Sequence, residues 1–135
     1  MGRLALLLVC LGTAQAVVYV EAEALPYRGD WTLSSGEQNA HDDVLICTVE
    51  KNPRPAVGAV TIPRAGTYRL MVRARDFAHD RPGTRRFAVE VGGRRDAKEF
   101  GAHANPDPGA HGWAWEQGGV FELPAGPVVV ALVAL

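Results

Sequence analysis

The chain has too few cysteines for a disulfide framework. Only Cys10 and Cys47 occur, and Cys10 lies in a segment that reads as a removable leader, so one thiol remains and the domain must hold by packing. Cys47 sits in the apolar run Asp43-Val44-Leu45-Ile46-Cys47-Thr48-Val49, which suits a buried, inert thiol rather than a nucleophile. No segment keeps a helical apolar period over ten or more residues, which argues against α architecture. No apolar run reaches the length of a membrane-spanning helix. Excess charge of one sign is absent too: 14 basic side chains face 15 acidic ones, which gives no warrant for nucleic acid or an anionic membrane as a partner. A Gly-x-Gly-x-x-Gly turn between a strand and a helix is also missing, so these residues offer no cradle for FAD or another dinucleotide.

What is present is a period of two. Tyr68, Leu70, Val72 and Ala74 alternate with Arg69, Met71, Arg73 and Arg75, the mark of a strand with one buried and one wet face. Phe87, Val89 and Val91 repeat the pattern, as do Phe121 and Leu123 around Glu122. Shorter strands are expected at residues 17–23, 31–33, 43–50 and 59–62. Breaks rich in Gly, Pro, Asp and His separate them, including polar loops at 34–42 and 101–112. Gly92-Gly93 and Gly118-Gly119 read as turn or bulge residues. Many short strands punctuated by turns predict an all-β, antiparallel β-sandwich of the jelly-roll, galactose-binding-domain-like type.

The N-terminus reads as a secretory signal peptide over residues 1–16. A basic Met1-Gly2-Arg3 precedes the apolar residues 4–11, and Ala14-Gln15-Ala16 offers a small-x-small cleavage site. The other reading of the same residues is a buried N-terminal strand or helix. With the leader removed, residues 17–135 form one domain of a secreted or periplasmic protein. The last segment, Val128 to Leu135, is strongly apolar and ends without a polar cap. An exposed strand of that kind invites aggregation, so the chain is expected to continue beyond Leu135.

Several ordered motifs resemble known domains. Val17-Val18-Tyr19-Val20-Glu21-Ala22-Glu23 with Gly29-Asp30-Trp31, and Ala65-Gly66-Thr67-Tyr68-Arg69-Leu70, resemble carbohydrate-binding modules of families 6 and 35. Arg73-Ala74-Arg75-Asp76-Phe77, the segment 87–92, and Trp113-Ala114-Trp115-Glu116-Gln117-Gly118-Gly119 resemble, in the same order, a domain at the N-terminus of some secreted bacterial FAD-dependent oxidoreductases. The resemblance implies a noncatalytic accessory domain that meets polysaccharide or a C-terminal catalytic domain. A free-standing lectin-like or structural interaction domain is the alternative. No nucleophile–base pair marks an enzyme within these residues.

Glu21 and Glu23, two apart on one expected strand, share a face and suit Ca²⁺, which takes six to eight oxygen ligands. The resemblance implies a structural calcium there, completed by an Asp that has no counterpart in this sequence. Two solvated carboxylates are the plainer reading. Tyr27, Trp31, Trp113 and Trp115 are the carbohydrate-binding candidates, since aromatic faces stack on the apolar faces of sugar rings. A core role competes for each Trp. Arg69, Arg73 and Arg75 form a stripe suited either to acidic sugars or to a solvated face paired with Asp76, Glu90 and Glu99. His41, His79, His103 and His111 are scattered over loops and take no assigned role.

Overall fold

The computed structural model describes residues 4–12, 16–34, 44–49, 51–76, 81, 83–84, 86–103 and 105–135. His41, His79, Ala14, Gln15 and most of the polar loop expected at 34–42 lie outside the described residues. The fold is all-β, and the described residues form ten strands in antiparallel sheets and two short 3-10 turns. The strands are β1 (Ala5–Cys10), β2 (Val17–Glu21), β3 (Thr32–Ser34), β4 (Val44–Ile46) and β5 (Ala56–Ile62). They continue with β6 (Gly66–Ala74), β7 (Phe87–Val91), β8 (Arg94–Arg95), β9 (Ala114–Leu123) and β10 (Gly126–Ala134).

One four-stranded sheet has the order β2-β1-β6-β9, a second the order β5-β10-β7-β8, and β3 pairs with β4. The inward side chains of both larger sheets join one core. Tyr68, Leu70, Val72 and Ala74 are almost wholly buried, as their period predicted. From the second sheet come Val89, Val91, Val130 and Leu132. The β3–β4 ribbon adds Leu45, while Trp31 and Cys47 flank it; Cys47 is a buried free thiol. Trp31 meets Phe87 edge to face at 5.8 Å, and its indole N–H donates to the Leu132 carbonyl at 3.1 Å. That bond satisfies the polar end of a buried indole.

Gly92 and Gly93 make the β7–β8 turn, with φ of 60° and 80°. Two successive positive φ values are what a tight I′ hairpin requires, and glycine adopts them without a Cβ clash. Gly118 and Gly119 form a bulge: the register runs from Arg69↔Val120 to Met71↔Gln117, so the two glycines oppose Leu70 alone. A Cβ on Gly118 would stand 2.6 Å from Asp96 Oδ2 and 3.0 Å from Phe100, so only glycine fits. Asp96, just past β8, reaches from the edge of the second sheet to this bulge. Its Oδ2 accepts the Gly119 N–H at 2.6 Å and its Oδ1 the Lys98 N–H at 2.9 Å. One carboxylate thus ties two sheet edges together.

Residues 5–10, read above as part of a leader or else as a buried N-terminal strand or helix, form an interior strand between β2 and β6, with Leu4, Leu6 and Leu8 buried. The reason is compositional: an apolar run of that length suits a core strand as well as a leader. The C-terminal run is no exposed edge either, because β10 lies between β5 and β7 and is bonded on both sides.

Candidate functional site

The outer face of the β2-β1-β6-β9 sheet carries Trp115, Tyr19, Gln117 and the arginine stripe. Cross-strand partners share a face, so the register defines its rows. Trp115 stands opposite Arg73, which faces Ala5 and then Glu21. Gln117 stands opposite Met71, Leu7 and Tyr19, and Val120 opposite Arg69, Val9 and Val17. The bulge at Gly118-Gly119 is what keeps both Gln117 and Val120 outward on a strand of period two. Trp115 is 46% exposed and Tyr19 54%, on the two outer strands of the sheet. With three strand steps of about 4.8 Å and a two-residue offset of about 3.4 Å per residue between their rows, they stand about 16 Å apart. Arg69 Nη1 donates to the Gly118 carbonyl at 3.2 Å, so one arginine of the stripe is anchored to the bulge.

Trp113, just before β9, is only 7% exposed. The guanidinium carbons of Arg73 and Arg75 stand 5.6 and 5.7 Å from its ring centroid, within cation–π range. The 101–113 loop is held locally. Asp107 Oδ1 accepts the Gly109 N–H, and Asn105 Nδ2 donates to the Trp113 carbonyl, both at 3.0 Å. Glu116 points inward from β9 and its side chain is nearly buried. Its Oε2 accepts the Gly101 N–H at 3.0 Å, while Oε1 lies 3.8 Å from Lys98 Nζ and 3.9 Å from His103 Nε2. These bonds pin the loop that flanks Trp115.

The aromatic candidates therefore separate. Trp31 belongs to the core and Trp113 is covered by arginine, leaving Trp115 and Tyr27 exposed. Tyr27 does not join Trp115: its backbone bridges to Val57 at the edge of the second sheet. Tyr19 was not marked by sequence reasoning, although its alternation with Val18 and Val20 was the available signal. A groove of about 450 Å³ at the turn end of the molecule was missed as well. Its lining includes Gly92, Arg94, Phe121, Leu123 and Val128, with the Arg94 guanidinium 5.5 Å from the Phe121 centroid. Its residues are scattered along the chain and leave no local motif.

The expected pairing of Glu21 and Glu23 on one strand is not what forms. Glu21 ends β2, and Glu23 lies in the 3-10 turn Ala22–Ala24. Among the described residues no group of three or more His, Cys, Asp or Glu side chains converges. Of the arginine–acid pairs, Arg95–Glu90 at 3.0 Å and Arg86–Glu99 at 3.1 Å are formed. At the β5 approach, Asp30 and Arg54 make a forked pair, with Arg54 Nη2 2.8 Å from Oδ1 and the Arg54 backbone N–H 2.6 Å from Oδ2. Those bonds lower the Asp30 pKa to about 2.

No family model, curated protein or solved structure matches this chain.

Proposed function

We propose that this chain is a noncatalytic, carbohydrate-binding-like domain of β-sandwich, jelly-roll type, serving as an accessory domain of a secreted FAD-dependent oxidoreductase. The observation that carries the binding reading is Trp115, an exposed indole on the outer sheet face beside Arg73 and Gln117. An indole face offers stacking area for a sugar ring, and guanidinium and amide groups offer hydrogen bonds to hydroxyls or carboxylates. The accessory role rests on the ordered motifs noted in the sequence, and the chemistry of the oxidoreductase would reside outside these residues.

The test is a glycan screen read by tryptophan fluorescence and calorimetry, with Trp115→Ala as the control. Binding that disappears in Trp115→Ala while the thermal transition stays in place supports the reading. A folded protein that binds no glycan, or binds equally well without Trp115, removes it. Sequencing the source frame past the codon for Leu135 tests the accessory role: a Gly-rich βαβ unit downstream supports it, and an immediate stop codon refutes it. A structural calcium at Glu21 and Glu23 belongs to this reading only with further ligands. A calcium-dependent rise in melting temperature would establish it for this chain, and no rise would remove it.

The second reading, an interaction domain, is favoured by the apolar part of the same face, where Val17 and Val120 are exposed beside Tyr19.

A further inference from the structure

Residues 4–10 have the composition of a leader and the position of an interior strand. β1 is bonded along its length on both sides: Leu6 faces Val20 and Val72, and Leu8 faces Val18 and Leu70. Without β1, β2 loses its one partner among the described strands of the sheet. The facing backbone groups of β2 and β6 would then stand about 10 Å apart, two strand spacings, and the places of Leu4, Leu6 and Leu8 in the core would be empty. The chain's other long apolar strand, β10, cannot fill the gap, because both its edges are used in the second sheet.

The point of detachment is also built in. The Cys10 N–H donates to the Ala16 carbonyl at 2.9 Å, closing the β1–β2 connection just before Val17. The leader-type site ends at Ala16, so a cut there frees β1 and leaves every other strand whole.

We propose that the sheet formed from Val17 onward is a strand acceptor. Its slot, between β2 and β6, takes an extended, uncharged segment of about six residues running antiparallel to both neighbours. β1 fills the slot in cis, and an apolar strand donated by a partner fills it in trans once β1 is detached. The slot also specifies its occupant. Inward positions need leucine-sized groups, as at Leu6 and Leu8. One outward position needs a small residue, because Ala5 is fully buried on the outer face opposite Arg73 and Glu21. Leu7 is half-buried on that face between Met71 and Tyr19, so a charged group at that position would be desolvated without a partner.

The test uses the full chain with a protease site placed in the β1–β2 connection. The cut chain is unfolded in urea and refolded with a large excess of a fluorescent peptide of residues 4–12. Uptake of one label per chain, with recovery of the thermal transition, is the expected result. A peptide carrying Leu6→Asp and Leu8→Asp should neither bind nor restore folding. The proposal is overturned if the cut chain regains its transition with no peptide bound, or takes up the aspartate peptide equally well. Should neither peptide restore folding of the cut chain, amide exchange on the intact chain decides. Protection at Leu6 and Leu8 matching that at Leu70 and Val72 sustains the slot, and free exchange there refutes it.

Discussion

Replacing Asp96 with asparagine should cost almost as much as deleting its side chain. The two carboxylate oxygens accept from different donors, Oδ1 from Lys98 N–H and Oδ2 from Gly119 N–H, and the residue is 7% exposed. A carboxylate can serve both at once. An amide has one oxygen, so Asn must turn its NH₂ toward one of the two N–H groups and leave that donor unmet. Hydrogen bonds to a charged partner contribute about 1.5–3 kcal/mol, and an orphaned buried donor costs about 1–3 kcal/mol. Asp96→Ala should therefore destabilise the protein by about 3 kcal/mol and Asp96→Asn by about 2 kcal/mol. For a chain of this size about 3–5 °C accompanies each kcal/mol, so the alanine variant should melt about 10 °C lower. Urea denaturation with a fitted m-value measures both, and unchanged m-values would show that the native state alone was perturbed. An Asp96→Asn protein within about 0.5 kcal/mol of the parent would refute the two-oxygen account.

Further outcomes follow from the same packing. Leu8→Ala should cost about 2–5 kcal/mol, because Leu8 is buried between Val18 and Leu70. Leu11→Ala, at a half-exposed position, should change stability by less than about 0.5 kcal/mol, and equal small effects in denaturant melts would remove β1 from the core. Gly118→Ala should cost about 1–3 kcal/mol through the close approach to Asp96, read as a lowered melting temperature; a neutral result would mean the bulge yields. Trp31→Phe should lower stability by about 1–3 kcal/mol, since the Leu132 carbonyl loses its donor. Asp30 should titrate near pH 2 by carboxyl-carbon NMR. Its folded pKa lies below its unfolded value of 3.8, so its contribution to stability is complete above about pH 4 and fades as pH falls toward 2. Arg54→Ala should return the titration toward 3.8, and an unmoved titration would exclude the ion pair as its cause.

The alternation at Tyr68, Leu70, Val72 and Ala74 was enough to specify β6, its buried face and the arginine-bearing opposite face, because side-chain direction in a strand is set by parity alone. Turn chemistry was equally local: Gly92-Gly93 needed only positive φ. The all-β class and the buried thiol of Cys47 were legible for the same reason. Partnership was not. Leu4 to Cys10 reads first as a leader and only second as a buried strand, and its hydrogen-bond neighbours β2 and β6 are set by the tertiary structure alone. The sorting of Trp31 and Trp113 from Trp115 also lay beyond any local pattern. An indole is buried or exposed according to what packs on it from Phe87, Leu132, Arg73 or Arg75, all distant from it in sequence. Likewise the reach of Asp96 across to Gly119 has no trace in spacing. Parity and turn preference reside in neighbouring residues and were determined by the sequence directly, whereas burial, pairing and the shared face of Tyr19 and Trp115 depend on which strands meet, and only the tertiary structure decided those.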